Sequence, residues 1–191
     1  QEVDPDYQNL LGLTYYFLGD YQQAISSFKM VSNLNPEYID VNYYMGLSYY
    51  KDGDFKNAIE NFKDAIRIYP DDTKSHVELG KSFNMNEDTE NSISAFNLAL
   101  GIDSKCAPAY YYMGEVMGKT GDHSQAAVAY VQSIKLDDSY VDAYYQLGLT
   151  YFTLKEYTRA VESFRKGLSL NPENEPEFFY QLGKAHAAGG D

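Results

Sequence analysis

Side chains with intrinsic chemistry are few and far apart in this sequence. His76, His123 and His186 are the three histidines, Cys106 is the single thiol, and tyrosine is abundant, with 20 copies in 191 residues. A nucleophile needs a base within hydrogen-bond reach, and a metal needs several ligands converging on one point. Each histidine stands in its own region of the chain, and none has an acid or nucleophile at a spacing that builds a triad or a metal site. The sequence therefore predicts no catalytic residue, no cofactor site and no metal site. A lone cysteine excludes an internal disulfide and the cysteine-rich zinc sites, so Cys106 is expected to be a small packed residue. What remains is the chemistry of contact. Tyrosine joins a large flat apolar ring to one hydroxyl and loses little side-chain entropy when it is covered.

Charge narrows the class of partner. The formal net charge of −13 argues against binding to a nucleic-acid backbone or an anionic membrane surface, both of which call for a basic face. No stretch of 18 apolar residues occurs, so no membrane-spanning helix is expected, and a cytoplasmic location is favoured. The sequence starts at Gln1 rather than methionine and ends in Gly189-Gly190-Asp191, as an excised piece of a longer chain would.

The elements that must position the contact residues are legible from periodicity. Between Val141 and Asn174, Ala143, Leu147, Tyr151 and Leu154 keep helical spacing, and so do Tyr157, Ala160, Val161, Phe164 and Leu168. A polar turn at Lys155-Glu156 separates the two runs, and Asn171-Pro172 stops the second. This helical hairpin recurs. Glycine returns at Gly12, Gly46, Gly80, Gly114 and Gly148, then at Gly183, and is preceded by Leu11, Met45, Leu79, Met113, Leu147 and Leu182. In the second helices Ala24, Ala58, Ser92, Ala126 and Ala160 are followed four residues later by Phe28, Phe62, Phe96, Tyr130 and Phe164. Small residues at Gly148 and Ala160 are expected to bring the two helices of a hairpin close together. Every glycine is assigned to this frame or to the C-terminal end, which leaves no phosphate-cradling loop.

The period and the leucine, glycine, tyrosine, alanine, phenylalanine and proline pattern resemble the tetratricopeptide repeat (TPR) family. The resemblance covers full repeats at 5–38, 39–72, 73–106, 107–140 and 141–174 and a first helix at 176–188. It implies an all-α fold, a right-handed α-solenoid of antiparallel helical hairpins, and one domain over 1–191. Repeat three departs most from the pattern: its turn reads Glu87-Asp88 where other copies have glycine-aspartate, its small residue is Ser92, and Ser104 replaces the closing proline. A flexible point is expected at 85–105.

In TPR proteins the first helices line a concave groove, and that resemblance places the candidate partner-binding residues at fixed offsets from each glycine. They are Asn9, Leu13 and Tyr16; Tyr43, Tyr44, Leu47 and Tyr50; Lys74 and Lys81; Tyr111, Tyr112 and Glu115; Tyr145, Leu149 and Phe152; and Tyr180. Tyr15, Tyr49, Tyr151, Tyr21 and Tyr157 fall at packing positions instead. The family's carboxylate clamp for chaperone tails is matched only by Lys74, because Asn9, Leu13, Tyr44 and Glu78 stand at the other four positions. The implied function is a non-enzymatic module that binds a peptide or protein partner in a tyrosine-rich groove. Two alternatives are a self-assembling scaffold of the kind found on bacterial membranes or organelles, and a docking region of a larger enzyme. Phe178, Phe179 and Leu182 have no following repeat to cover them, which motivates self-association through the C-terminal helix.

Overall fold

The fold is known from a computed structural model that describes residues 4–38, 40–170 and 175–190. Among the described residues all regular structure is helical, in the order α1 (Pro5–Leu18), α2 (Tyr21–Leu34), α3 (Val41–Lys51), α4 (Phe55–Ile68), α5 (Thr73–Met85), α6 (Thr89–Ile102), α7 (Ala107–Lys119), α8 (His123–Leu136), α9 (Val141–Thr153), α10 (Tyr157–Leu170) and α11 (Glu175–Gly189). Odd-numbered helices are the first and even-numbered the second helices of successive hairpins, and α11 is the first helix of a sixth. Asn171-Pro172, expected to stop α10, lies outside the described residues. The chain resolves into two compact units, Gln1–Ile102 and Asp103–Asp191.

Within each unit every helix packs on the next. The first helices also touch across the intervening second helix, α1 on α3 and α3 on α5 in one unit, α7 on α9 and α9 on α11 in the other. Second helices make no such contact among the described residues. First helices therefore form the inner layer of each unit and second helices the outer.

The frame glycines explain the hairpin. A Cβ built on Gly12 would lie 2.6 Å from the ring of Phe28, and the same holds for Gly46 and Phe62 (2.8 Å), Gly80 and Phe96 (2.6 Å), Gly114 and Tyr130 (2.7 Å), and Gly148 and Phe164 (2.5 Å). The glycine thus clears room for the aromatic ring of its own hairpin. At Gly148 the room left by the missing side chain is taken by the Phe164 ring. Phe28, Phe62, Phe96 and Phe164 are fully buried, as are Ala24, Ala58, Ser92, Ala126 and Ala160.

Each hairpin turn ends the first helix with one residue in the left-handed region: Gly19, Gly53 and Gly121 at φ 82°, 84° and 86°, but Glu87 and Lys155 at 62°. The following amide, from Asp20, Asp54, Asp88, Asp122 or Glu156, returns to the carbonyl five residues earlier at 2.9 Å in all five, a helix-closing pattern that tolerates a non-glycine residue at a cost. The aspartates then cap the second helices, Asp88 among them, through Asn91 N–H at 3.2 Å. In the third hairpin Ser92 Oγ donates to the Gly80 carbonyl at 2.8 Å inside the core. Its departures from the pattern thus retain the turn and add an internal bond.

The C-terminal helix differs from expectation. Phe178 and Leu182 are buried, and of the three apolar residues expected to be uncovered only Phe179 is, at 55% exposure. The reason is Gly167 in α10, which lies outside the repeating frame: a Cβ there would meet the Phe178 ring at 2.5 Å.

Candidate functional site

The inner face of the first unit is built from rings set edge to face. Tyr16 of α1 meets Tyr44 of α3 at 5.8 Å between centroids, Tyr44 meets Tyr43 at 5.5 Å, and Tyr43 leans on the buried Phe62 at 5.9 Å. Such offset geometry is the favoured one for aromatic quadrupoles. Leu13, Leu47 and Tyr50 complete the face and, like Asn9 and these tyrosines, are half-buried. Burial, assisted by the Glu78 carboxylate, pushes the hydroxyls of Tyr16 and Tyr43 up from their ordinary range, so both remain protonated and can donate.

On α5, Lys81 reaches both oxygens of Glu78, at 2.8 and 2.7 Å, and its ammonium stands 5.3 Å from the Tyr50 ring centroid. Both side chains of this ion pair are largely covered. Lys74 is exposed. It borders a recess of about 640 Å³ that also involves Asp40, Tyr43, Tyr44, Tyr69 and Asp71. Tyr69 and Asp71 lie in the α4–α5 connection, outside the helices that the repeat pattern addresses, so no offset from a glycine could have found them.

In the second unit the predicted residues divide. Tyr111 is 8% exposed, with its ring 5.0 Å from Tyr112, 5.8 Å from Tyr130 and 4.9 Å from Tyr140, and its hydroxyl donates to Glu115 at 3.3 Å. Tyr145 joins α9 to α11: the ring touches Phe164 and Phe178, at 5.9 and 5.2 Å, and the hydroxyl donates to Glu177 Oε1 at 2.6 Å. That bond and one from Gln181 hold the Glu177 carboxyl below its usual range. Tyr112, Glu115, Leu149 and Phe152 are half-buried and Tyr180 is exposed. Lys184 stands 5.3 Å from the ring centroids of both Phe152 and Tyr180. Between α7 and α9 lies a recess of about 370 Å³ lined by Glu115, Gly118, Lys119, His123, Tyr130, Gln146, Leu149, Thr150 and Thr153.

Of the packing tyrosines, Tyr49 is buried while Tyr15, Tyr21, Tyr151 and Tyr157 are half-buried. Among the histidines, His76 is buried with Nε2 2.9 Å from the Pro70 carbonyl, and His186 lies 3.4 Å from Arg165. Cys106 is half-covered, and burial pushes its thiol up, away from reactivity. Among the described residues no group of three or more histidine, cysteine or acidic side chains is placed to hold a metal ion, and no helix is long and apolar enough to cross a membrane.

Family models described as tetratricopeptide repeat match residues 39–72 and 141–174, and one described as TPR repeat matches 12–53 and 119–155. Together they span more than half of the chain. No curated protein sequence matches. Among solved structures, the chain is similar to MamA at 25% identity, covering 90% of this chain and 94% of that one with a TM-score of 0.75. PilW, described as a widely conserved type IV pilus biogenesis factor, superposes with a TM-score of 0.85 at 20% identity, covering 100% of this chain and 88% of that one. YrrB, described as a TPR protein with an unusual peptide-binding site, gives 0.66 at 17% identity, covering 90% and 89%. At those two identities the likeness is one of fold alone.

Proposed function

Because this chain belongs to the tetratricopeptide-repeat family, we propose that it is a non-enzymatic protein-interaction module whose ligand, a peptide or a partner protein, lies along the inner, tyrosine-rich face of the first helices. The observation that carries this reading is the row of half-buried rings at Tyr16, Tyr44 and Tyr50. They are held by edge contacts to one another or to neighbouring rings, so covering them costs little further ordering. Aromatic anchors on a preorganised surface carry a large share of binding energy in most interfaces.

The test must spare residues that the fold requires. Alanine at Tyr111 or Tyr145 removes core packing, so Tyr16→Ala combined with Tyr50→Ala is the informative pair. Captured from a lysate of the native source, the partner should fall at least tenfold, consistent with about 1–2 kcal/mol per anchor, while the helical circular dichroism signal is kept. Full capture by the double variant would overturn the assignment.

A self-assembling scaffold is a second reading, favoured by α11. In five hairpins the glycine Cβ direction is filled by an aromatic ring, yet nothing lies within 4 Å of that direction at Gly183, and Phe179 and Tyr180 beside it are exposed. Sedimentation of the wild-type chain and of Phe179→Glu decides this: concentration-dependent growth abolished by the substitution supports it, and a monomer at high concentration excludes it.

A further inference from the structure

The fourth hairpin lacks a ring that the first, second and fifth possess, at a position the third fills with Asn84. Four residues after the frame glycine, the first, second and fifth hairpins carry Tyr16, Tyr50 and Phe152. Each ring packs on the first residue of its own second helix: Tyr16 on Tyr21 at 6.1 Å, Tyr50 on Phe55 at 5.5 Å and Phe152 on Tyr157 at 5.5 Å, the last two edge to face. Over Tyr50 and Phe152 stands the residue that follows the next frame glycine, Lys81 and Lys184 respectively, each 5.3 Å from the ring centroid. In the fourth hairpin the three corresponding positions are Gly118, His123 and Leu149. The imidazole that would pack against the ring and the leucine that would cover it are both present, and the ring is not.

The place of the ring is open. A Cβ on Gly118 would find only the Ala126 Cβ, at 3.9 Å, and Gly118, His123 and Leu149 all line the recess of about 370 Å³ between α7 and α9. That volume lies within the range of small-ligand sites and admits a whole aromatic side chain. The surroundings suit one. Leu149 gives an apolar cover and Tyr130 an aromatic wall, while the hydroxyls of Thr150 and Thr153 are turned to the Gln146 and Leu149 carbonyls, which leaves their methyl groups for contact.

We propose that the recess at Gly118 is a specificity pocket for an aromatic side chain, phenylalanine or tyrosine, of the bound partner, seated where the first, second and fifth hairpins place their own ring. This rests on the reading of the chain as a peptide-binding module and names the residue class that the second unit selects.

The probe is N-acetylphenylalaninamide, titrated into the ¹⁵N-labelled protein, with N-acetylalaninamide as comparison. Amide shifts are expected at 115–123 and 146–153 with the first compound and not with the second. Gly118→Phe should fill the pocket from within and weaken the response at least tenfold. Because it restores the pattern of the first, second and fifth hairpins and replaces a helical glycine, its melting temperature should equal or exceed that of the wild type. Gly118→Ala leaves the pocket open and should retain the response. Equal shifts in wild type and Gly118→Phe, or shifts scattered over the surface, would overturn the pocket. Such a result would leave the module itself standing wherever the Tyr16 and Tyr50 double variant still loses its partner.

Discussion

The second and fourth hairpins share one frame and present different faces. In both, a glycine seats the aromatic ring of the second helix, Phe62 under Gly46 and Tyr130 under Gly114. In both, the residue closing the turn is a glycine with φ near 85°. On the inner side they part: Tyr50 closes the second hairpin with its own ring against Phe55, whereas Gly118 leaves the fourth open beside His123. The lesson is that the residues that make the hairpin and those that shape its surface are separable at single positions, even adjacent ones.

Several substitutions strain or extend this separation, and their expected effects descend in size. Phe62→Ala should cost 3–5 kcal/mol of unfolding free energy, on the order typical of a fully buried phenylalanine; denaturant unfolding that loses less than about 1 kcal/mol would mean that the ring is not the keystone of its hairpin. Gly46→Val and Gly114→Val should each lose about 1–3 kcal/mol by overpacking against the ring below. Similar losses at the two sites would show that the frame is indifferent to the surface above it. Tyr50→Gly transfers the open character of the fourth hairpin to the second. It should cost about 2 kcal/mol, combining a helical glycine with a lost aromatic pair, and should create a response to N-acetylphenylalaninamide around Phe55. Smallest is the turn. Lys155→Gly should raise stability by up to about 1 kcal/mol, because a non-glycine residue at φ 62° is disfavoured, and Gly53→Lys should lower it by a similar amount. A chemical-denaturation midpoint moving the opposite way in either would contradict the turn argument.

Much of this was legible before any coordinates. Periodicity located the helices because each hairpin repeats the same burial problem, and the 34-residue recurrence of glycine and phenylalanine marked a contact between them without showing its geometry. That Gly148 and Ala160 are small is plain in the sequence, but not that the space at Gly148 belongs to the ring of Phe164. Offsets of four after and two before the glycine set Tyr16, Tyr50 and Tyr44 on the inner side, whereas the offset of three before it sends Tyr43, Tyr111 and Tyr145 partly or wholly into packing. An offset specifies direction and says nothing of how tightly the neighbours close around it. Tyr111 sits beside Tyr140, supplied by the connection between hairpins, where the repeat imposes no pattern. Gly118 is visible in the sequence as a missing aromatic, but its meaning requires His123 and Leu149 to be seen on either side of it.

The seat of Phe178 has a consequence for anyone who would cut and rejoin this chain. The position of Gly167 in the second helix is taken in other hairpins by Val31, Ala65 and Ser133, and the position of Phe178 in the next first helix by Val41, Ser75 and Ala143. All of these are buried. By position the pairs run valine with valine, alanine with serine, serine with alanine and glycine with phenylalanine, and at the last of these the Phe178 ring occupies the space that a side chain on Gly167 would need. Hairpins of this protein are therefore not interchangeable bricks. Each junction is a lock cut to its own key, and a shuffled array would need both halves of a junction moved together.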